Sequence, residues 1–334
     1  MIKSFKILFF ASMIMGSMIT ISSNSWMGMW MGLEINLLSM IPLLSENSQT
    51  NSAEASIKYF ITQMTASNII LMTIICMFHY NDQMYSNFNF IVLIQSALFI
   101  KMGTAPFHFW LPEVIDGLTW INCLIILTWQ KIAPMIILMS IISPKLFIFT
   151  VILMSTMMGS LMGFNQISLR KIMAYSSINH MGWMIAAMLS TKPIWLLYFL
   201  IYSLITINVV WIFNSTNIKN INQIPTLFKN KVLTLFFSLN FLSLGGLPPF
   251  IGFLPKWLTV QQMIFMNNYI IAMLMILFTL IAMFFYLRIS LIPMVLSNKE
   301  NLVKITNKIN FIVLFTNSIS LIALASIGFM VNPF

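Results

Sequence analysis

Gly103-Thr104-Ala105-Pro106-Phe107-His108-Phe109-Trp110-Leu111-Pro112 and Gly246-Leu247-Pro248-Pro249-Phe250-Ile251-Gly252-Phe253-Leu254-Pro255 share one pattern, G-x-x-P-F-x-x-[WF]-L-P. Each copy lies inside a long apolar run. Proline has no backbone N–H and clashes with the preceding helical turn, and glycine weakens a helix further. Both runs are therefore predicted to be broken helices, interrupted near 103–106 and 245–249, with Gly103, Pro106, Gly245, Gly246, Pro248 and Pro249 at the breaks. In lipid the freed amides and carbonyls have to be satisfied by protein or water. Broken helices that recur in two halves of a membrane chain point to a hydrated interior that handles ions. The alternative is that Gly and Pro only kink two ordinary spans.

Outward from these copies the chain reads as membrane-embedded. It is 59% hydrophobic and 7% charged, with mean hydropathy +0.92, against about 25% charged residues in a soluble domain. So few charges cannot clothe a water-facing surface. Apolar windows long enough to span a bilayer fall near 5–22, 26–44, 56–78, 89–112, 118–140, 145–163, 171–189, 193–215, 231–262, 268–292 and 309–331. The fold class is an all-α, polytopic transmembrane bundle of about eleven helices, in one integral-membrane domain. The two copies fall on the fourth and ninth spans. That odd offset makes them enter from opposite sides, an inverted repeat with units roughly 26–189 and 193–331. The two lysines before the first apolar run imitate a signal peptide, but no polar stretch follows, and the run reads as a retained span.

The net charge is +10. The basic residues lie mostly between apolar runs, so they read as topology signals and nucleic acid is not a partner. With the N-terminus inside, eleven lysines and arginines fall on inner loops and flanks, and only Lys145 and Lys192 on outer ones. The C-terminus is then outside. Cys76 and Cys123 lie in apolar runs, and no CxxC or Cys/His cluster marks a zinc or iron–sulfur site. The 30 methionines suit the filling of irregular gaps and match the bias of an AT-rich mitochondrial gene.

Four ionisable residues are placed inside spans. Glu34 is about 12 Å into the second, Lys101 about 18 Å into the fourth and Lys131 about 20 Å into the fifth. Lys256 follows the second break by two turns. A charge at mid-bilayer costs about 2.5–3.5 kcal/mol on insertion scales. An ammonium deprived of water titrates nearer neutrality, and a neighbouring carboxylate opposes that effect. A Glu–Lys pair of variable separation is thus a proton switch, and Glu34 and Lys101 are assigned to it. His108, inside the first motif, and His180, in the polar stretch Tyr175–His180, are further relay candidates. The structural alternatives are a static Glu34 counter-ion, a Lys131 bond to a carbonyl freed near Pro134, an outward-snorkelling Lys256 and packed histidines. Arg288 reads as snorkelling. Glu54, Lys58, Glu113 and Asp116 read as interfacial, with Glu113 at the repeat position of Lys256.

The string Trp26–Asn36, then Lys101 with Gly103–Pro112, Thr128–Lys131, Ala174–His180 and Leu244–Lys256, resembles the antiporter-like membrane subunits of respiratory complex I. The likeness extends to about residue 290, and the short form is similar to animal mitochondrial members. It implies two inverted five-helix units. It makes Glu34 and Lys101 the charged pair, Lys131 the central proton carrier and Lys256 the element toward the outer side. It implies a mitochondrial inner-membrane location, with the N-terminus in the matrix and the C-terminus in the intermembrane space. Proton translocation would be coupled to electron transfer from NADH to ubiquinone. No cofactor is expected on this chain, since NADH, FMN, iron–sulfur clusters and ubiquinone belong to other subunits. The implied partners are other membrane-arm subunits, notably chains 4 and 4L, with accessory subunits and phospholipid. A stand-alone cation/proton antiporter and a purely structural membrane subunit are the competing readings.

Overall fold

The computed structural model describes residues 4–45, 50–79, 86–143, 145–227, 231–248 and 250–295. The described elements are helices, apart from one isolated bridge between Ser168 and Asn220. The chain divides into two compact units, Met1–Ser155 and Thr156–Phe334.

The first unit contains α1 (Ser4–Ser22), α2 (Trp26–Leu44), α3 (Thr50–His79), α4 (Ser86–Met102), α5 (Trp110–Gly117), α6 (Trp120–Leu127) and α7 (Trp129–Ser140), and α8 (Lys145–Phe164) carries the boundary. Ser25 caps α2 by accepting from the Gly28 amide at 3.3 Å. Lipid supplies no hydrophobic drive between helices, so close backbone approach has to hold α1 against α2. A Cβ on Gly32 would lie 2.5 Å from Thr20 Cγ2 and 2.8 Å from the Gly16 carbonyl. α3 lies against α2, α4 and α5, and α4 against α7.

The second unit contains α9 (Leu169–Ser190), α10 (Lys192–Thr216), the short α11 (Ile224–Leu227), α12 (Lys231–Gly245), α13 (Phe253–Phe265) and α14 (Tyr269–Val295). α9 is buried on every face from Ile172 to Met188. A helix buried all round is normally apolar, yet this one carries Ser176, Ser177, Asn179 and His180 in its middle. It is the polar centre of its unit. Large apolar side chains such as Ile7, Met72, Ile270 and Leu280 are exposed, whereas Gln95, Ser155, Ser177 and Asn179 are buried. That inversion suits lipid as the solvent.

Seven helices among the described residues are long and apolar enough to cross a membrane. The count differs from eleven for physical reasons. The fourth and ninth spans are each cut short by a break, leaving apolar pieces such as Phe90–Met102 and Thr234–Gly245. α9 is long enough but too polar. The span at 309–331 lies outside the described residues. The span expected at 118–140 is among the seven, as Trp120–Ser140, but it bends part-way along. Thr128, at φ −119° and ψ −71°, separates α6 from α7, and its hydroxyl donates to the Leu124 carbonyl at 2.7 Å. Such back-bonding bends helices.

The two sequence copies fold alike at their helix caps and in the turns that follow. α4 ends where Gly103 takes φ +69°, and α12 where Gly246 takes φ +80°. The amides of Gly103 and Thr104 donate to the carbonyls of Ile100 and Phe99, and those of Gly246 and Leu247 to Ser243 and Leu242. Each is a Schellman cap, which calls for the left-handed conformation glycine adopts without penalty. The chain then turns in matching steps. Phe107 donates to Thr104 and Leu111 to His108, while Phe250 donates to Leu247 and Leu254 to Ile251. Helix resumes at Trp110 and at the matching Phe253. Gly245 is the last residue of α12 rather than part of the turn. Pro106 and Pro248 lie in the interruptions, and Pro249 lies outside the described residues.

Candidate functional site

In the first unit, Lys101 and Lys131 line the same internal cavity of about 20 Å³. Both are buried, with 7% and 2% of their surface exposed. The last turn of α4 carries Lys101, and the first turn of α7 carries Lys131. The break therefore ends one turn, and the Thr128 interruption begins the other, where an ammonium is wanted. Asn36, Tyr59, Gln63 and Gln130 share the lining. Gln130 Nε2 donates to Asn36 Oδ1 at 2.9 Å, and the Tyr59 hydroxyl reaches Gln130 Oε1 at 3.5 Å. A polar chain thus runs from α3 through α7 to α2.

Glu34 is half-buried on α2. Its charge acts on Lys101, but the two groups form no direct ion pair. One carboxylate oxygen, Oε2, is buried without a hydrogen bond. A cavity of this size holds a water molecule where polar partners surround it.

In the second unit, Lys256 does not snorkel. It is 8% exposed and folds back over Gly246, so that Nζ donates to the carbonyls of Gly245 at 2.7 Å and Leu244 at 3.3 Å. Those carbonyls end α12, and a cation there meets the negative end of the helix dipole. The Lys256 side chain also borders a cavity of about 350 Å³, whose other walls include Trp183, Phe253, Trp257, Ile276 and Met283. A bond to freed carbonyls, given above as the structural alternative for Lys131, is made by Lys256.

The histidines occupy separate places. His108 is buried in the first break, stacked on Phe109 with ring centroids 4.5 Å apart. It does not line the Lys101–Lys131 cavity. His180 lies mid-way along α9 with Nδ1 2.9 Å from the Tyr198 hydroxyl. Arg288 donates from Nη2 to the Gln166 carbonyl at 3.0 Å rather than reaching outward. Lys58 is bracketed by Glu54 and Glu113, each at 2.9 Å, on an exposed face of α3 and α5.

Reasoning from charges alone missed Asn36, Tyr59, Gln63 and Gln130 in the first unit and Tyr198 in the second. A signal for them existed. Each is a neutral hydrogen-bonding residue within an apolar run, where an unmet polar group is expensive.

The chain matches the family model described as NADH:quinone oxidoreductase/Mrp antiporter, TM, over residues 23–285. It is 48% identical over 308 residues to NADH-ubiquinone oxidoreductase chain 2 of Anopheles gambiae, covering 91% of this chain and 90% of the relative. Identity to the chain of the same name from Locusta migratoria is 43% over 324 residues, covering 96% and 94%. Among solved structures, a chain of respiratory complex I from Thermus thermophilus with bound aureothin superimposes with TM-score 0.84 at 22% identity, covering 96% of this chain and 77% of that one. A chain of the Mrp complex from Dietzia gives TM-score 0.74 at 15% identity, covering 83% and 58%. At those identities the structural likenesses speak for the fold alone.

Proposed function

Because this chain belongs to the NADH:quinone oxidoreductase/Mrp antiporter family, and within it to the NADH-ubiquinone oxidoreductase chain 2 proteins, we propose that it is a proton-translocating membrane subunit of the mitochondrial NADH:ubiquinone oxidoreductase. The observation that carries the reading is the placement of Lys101 and Lys131 on one polar cavity, with Glu34 acting on Lys101. A proton held on Lys101 is favoured while the carboxylate is close and is released toward Lys131 as it withdraws. The Asn36–Gln130–Tyr59 chain shares the cavity lining with the two ammonium sites and supplies polar groups there. Lys256, on the second break, is the further proton-holding group.

In this reading the chain performs no redox chemistry. NADH, FMN, iron–sulfur clusters and ubiquinone are handled by other subunits, and the free energy arrives as a change of conformation or field along the membrane arm. The chain is multi-pass in the inner membrane, with its N-terminus in the matrix and its C-terminus in the intermembrane space. Its neighbours include chains 4 and 4L, accessory subunits and phospholipid.

Lys101→Met and Lys131→Met, each in the assembled complex, test this. Each lowers proton-coupled quinone reduction by about tenfold or more, the scale of losing a positioned proton carrier, while assembly persists. Wild-type coupled turnover in an assembled variant overturns the role. Cation/proton exchange by the purified chain alone would instead identify a stand-alone antiporter.

A further inference from the structure

The second unit gathers cations at one end and offers them no carboxylate. Between Asp116 and Glu300 the sequence contains no Asp or Glu, so within the described part of this unit no basic side chain can be neutralised by an acidic one. Four of its cations nevertheless meet where α8 hands over to α9. The Arg288 guanidinium, reaching from α14, donates from Nη2 to the Gln166 carbonyl at 3.0 Å. The chain after α10 crosses the same place. The Leu169 amide donates to the Lys219 carbonyl at 2.9 Å, and the Ile221 amide to the Ile167 carbonyl at 3.2 Å. Arg170 and Lys171 follow at once in the first turn of α9.

Like charges crowded together repel unless an anion joins them. Two polar atoms at this place also lack a partner among the described residues. Arg288 Nε is buried without a hydrogen bond, and so is the hydroxyl oxygen of Ser168, which stands at the N-cap of α9 yet makes no capping bond. Arginine forks bind phosphate with several donors at once, and a hydroxyl adds one more.

The surroundings say which phosphate. Leu277, Leu280, Phe284, Leu287 and Leu291 are all exposed. Their spacing of three and four residues sets them in one stripe along α14, which ends beside Arg288. The stripe is about 21 Å long, more than the depth of one leaflet. Phe164 stacks on Phe284 with ring centroids 5.1 Å apart and widens the apolar face next to the cations. A basic cluster at the head of a lipid-facing apolar stripe matches an anionic phospholipid, with its phosphate among the cations and an acyl chain along the helix. An acidic polypeptide would answer the charges and leave the stripe unexplained.

We propose that Arg170, Lys171, Lys219 and Arg288, with Ser168, form a binding site for the phosphate of an anionic phospholipid whose acyl chain lies on the exposed stripe of α14. These cations belong to the side that carries the excess of basic residues, so the lipid is one of the inner leaflet. Bound there, it ties the ends of α8, α9 and α14 to the connection that follows α10.

The test uses the assembled complex in phosphatidylcholine nanodiscs that contain a trace of photoactivatable phosphatidylglycerol. The labelled peptides are located by mass spectrometry. Label is expected on residues 164–168 and 284–291, several-fold above that from a phosphatidylcholine analogue with the same chains. Arg288→Gln and Arg170→Gln each lower it about fivefold, the scale of one basic residue facing an anionic headgroup. Arg288→Lys recovers part of the loss, since charge returns without the fork. Lys171→Gln and Lys219→Gln give the same readout if an arginine variant fails to assemble, and Lys192→Gln, beyond the other end of α9, leaves the label unchanged. Equal labelling by both analogues, or wild-type label in every variant of the four cations, overturns the site. Loss of label in millimolar inorganic phosphate at fixed ionic strength also overturns it, by giving the cations to free phosphate, as does cross-linking of these peptides to a neighbouring polypeptide in place of lipid. Proton pumping is measured separately in Lys131→Met, so the lipid site and the proton-translocating reading stand or fall independently.

Discussion

The two breaks share a backbone and differ in who satisfies it. At the first, neutral donors take the freed carbonyls. The Trp110 indole donates to Ile100 O at 3.0 Å, and Gln63 Nε2 to Lys101 O at 3.4 Å. At the second, Phe253 stands where Trp110 stands and has no donor, and the Lys256 ammonium does the work instead. The charges have traded sides of the break as well. Leu244 occupies the repeat position of Lys101, and Glu113 that of Lys256. One repeated turn therefore yields two devices. In the first unit the ammonium groups are left to line a small polar cavity. In the second the ammonium is tied to a helix end beside a larger, mainly apolar one. A backbone motif fixes where a helix stops, and the side chains around it decide whether the lysine caps a helix end or lines a cavity.

The sharpest way to break that contrast is Lys256→Met. The carbonyls of Gly245 and Leu244 lose their donor, which costs about 1–3 kcal/mol for a buried acceptor left unmet, and the ammonium proposed to hold a proton disappears as well. Both the yield of assembled complex and its coupled turnover fall. Lys256→Gln separates the two roles, since an amide still donates to Gly245 but carries no titrating proton. Assembly recovers and turnover does not. Recovery of both would make Lys256 a cap and nothing more.

Much of the contrast was already written in the order of residues. The repeated Gly and Pro positions located both interruptions, because a left-handed glycine cap and an absent proline amide are local facts. The bounds of α2 were legible for the same reason, with Ser25 as its cap and an unbroken apolar run behind it. The burial of Lys101 and Lys131 followed from their place inside apolar runs. What could not be read were the partners. Trp110 finds Ile100 across one turn of irregular chain, Gln130 finds Asn36 across 94 residues of sequence, and no periodicity carries that information. The Thr128 interruption escaped because one threonine in an apolar run signals nothing until its hydroxyl is seen bonded to Leu124. The polar middle of α9 was visible as letters, but Tyr198 and Tyr202, which meet His180, come from α10.

A gentler perturbation converts one break toward the other. Trp110→Phe gives the first break the aromatic ring of the second and leaves Ile100 O without its indole. The cost is about 1 kcal/mol, the net worth of one hydrogen bond, read as a small drop in the thermal midpoint of the complex. Pumping falls only if Lys101 is drawn toward the Ile100 carbonyl, which keeps its bond from the Gly103 amide, and away from its cavity. Unchanged stability would show that the cap of α4 does not depend on the indole, and the division of labour drawn above would lose its first half.

The smallest effect belongs to Lys58→Ala. Lys58 lies between Glu54 and Glu113 at 2.9 Å from each, which by distance alone is the best-formed charge cluster among the described residues. All three side chains are largely exposed, however, and exposed ion pairs exchange readily with solvent and headgroups. Assembly and coupled turnover are expected to stay at wild-type levels. The variant nonetheless bears on the comparison, because Glu113 holds the repeat position of Lys256. If freeing Glu113 from Lys58 lowers pumping, that position handles protons in both copies, on a buried lysine in one and an exposed carboxylate in the other. The two units would then differ in degree of burial rather than in kind.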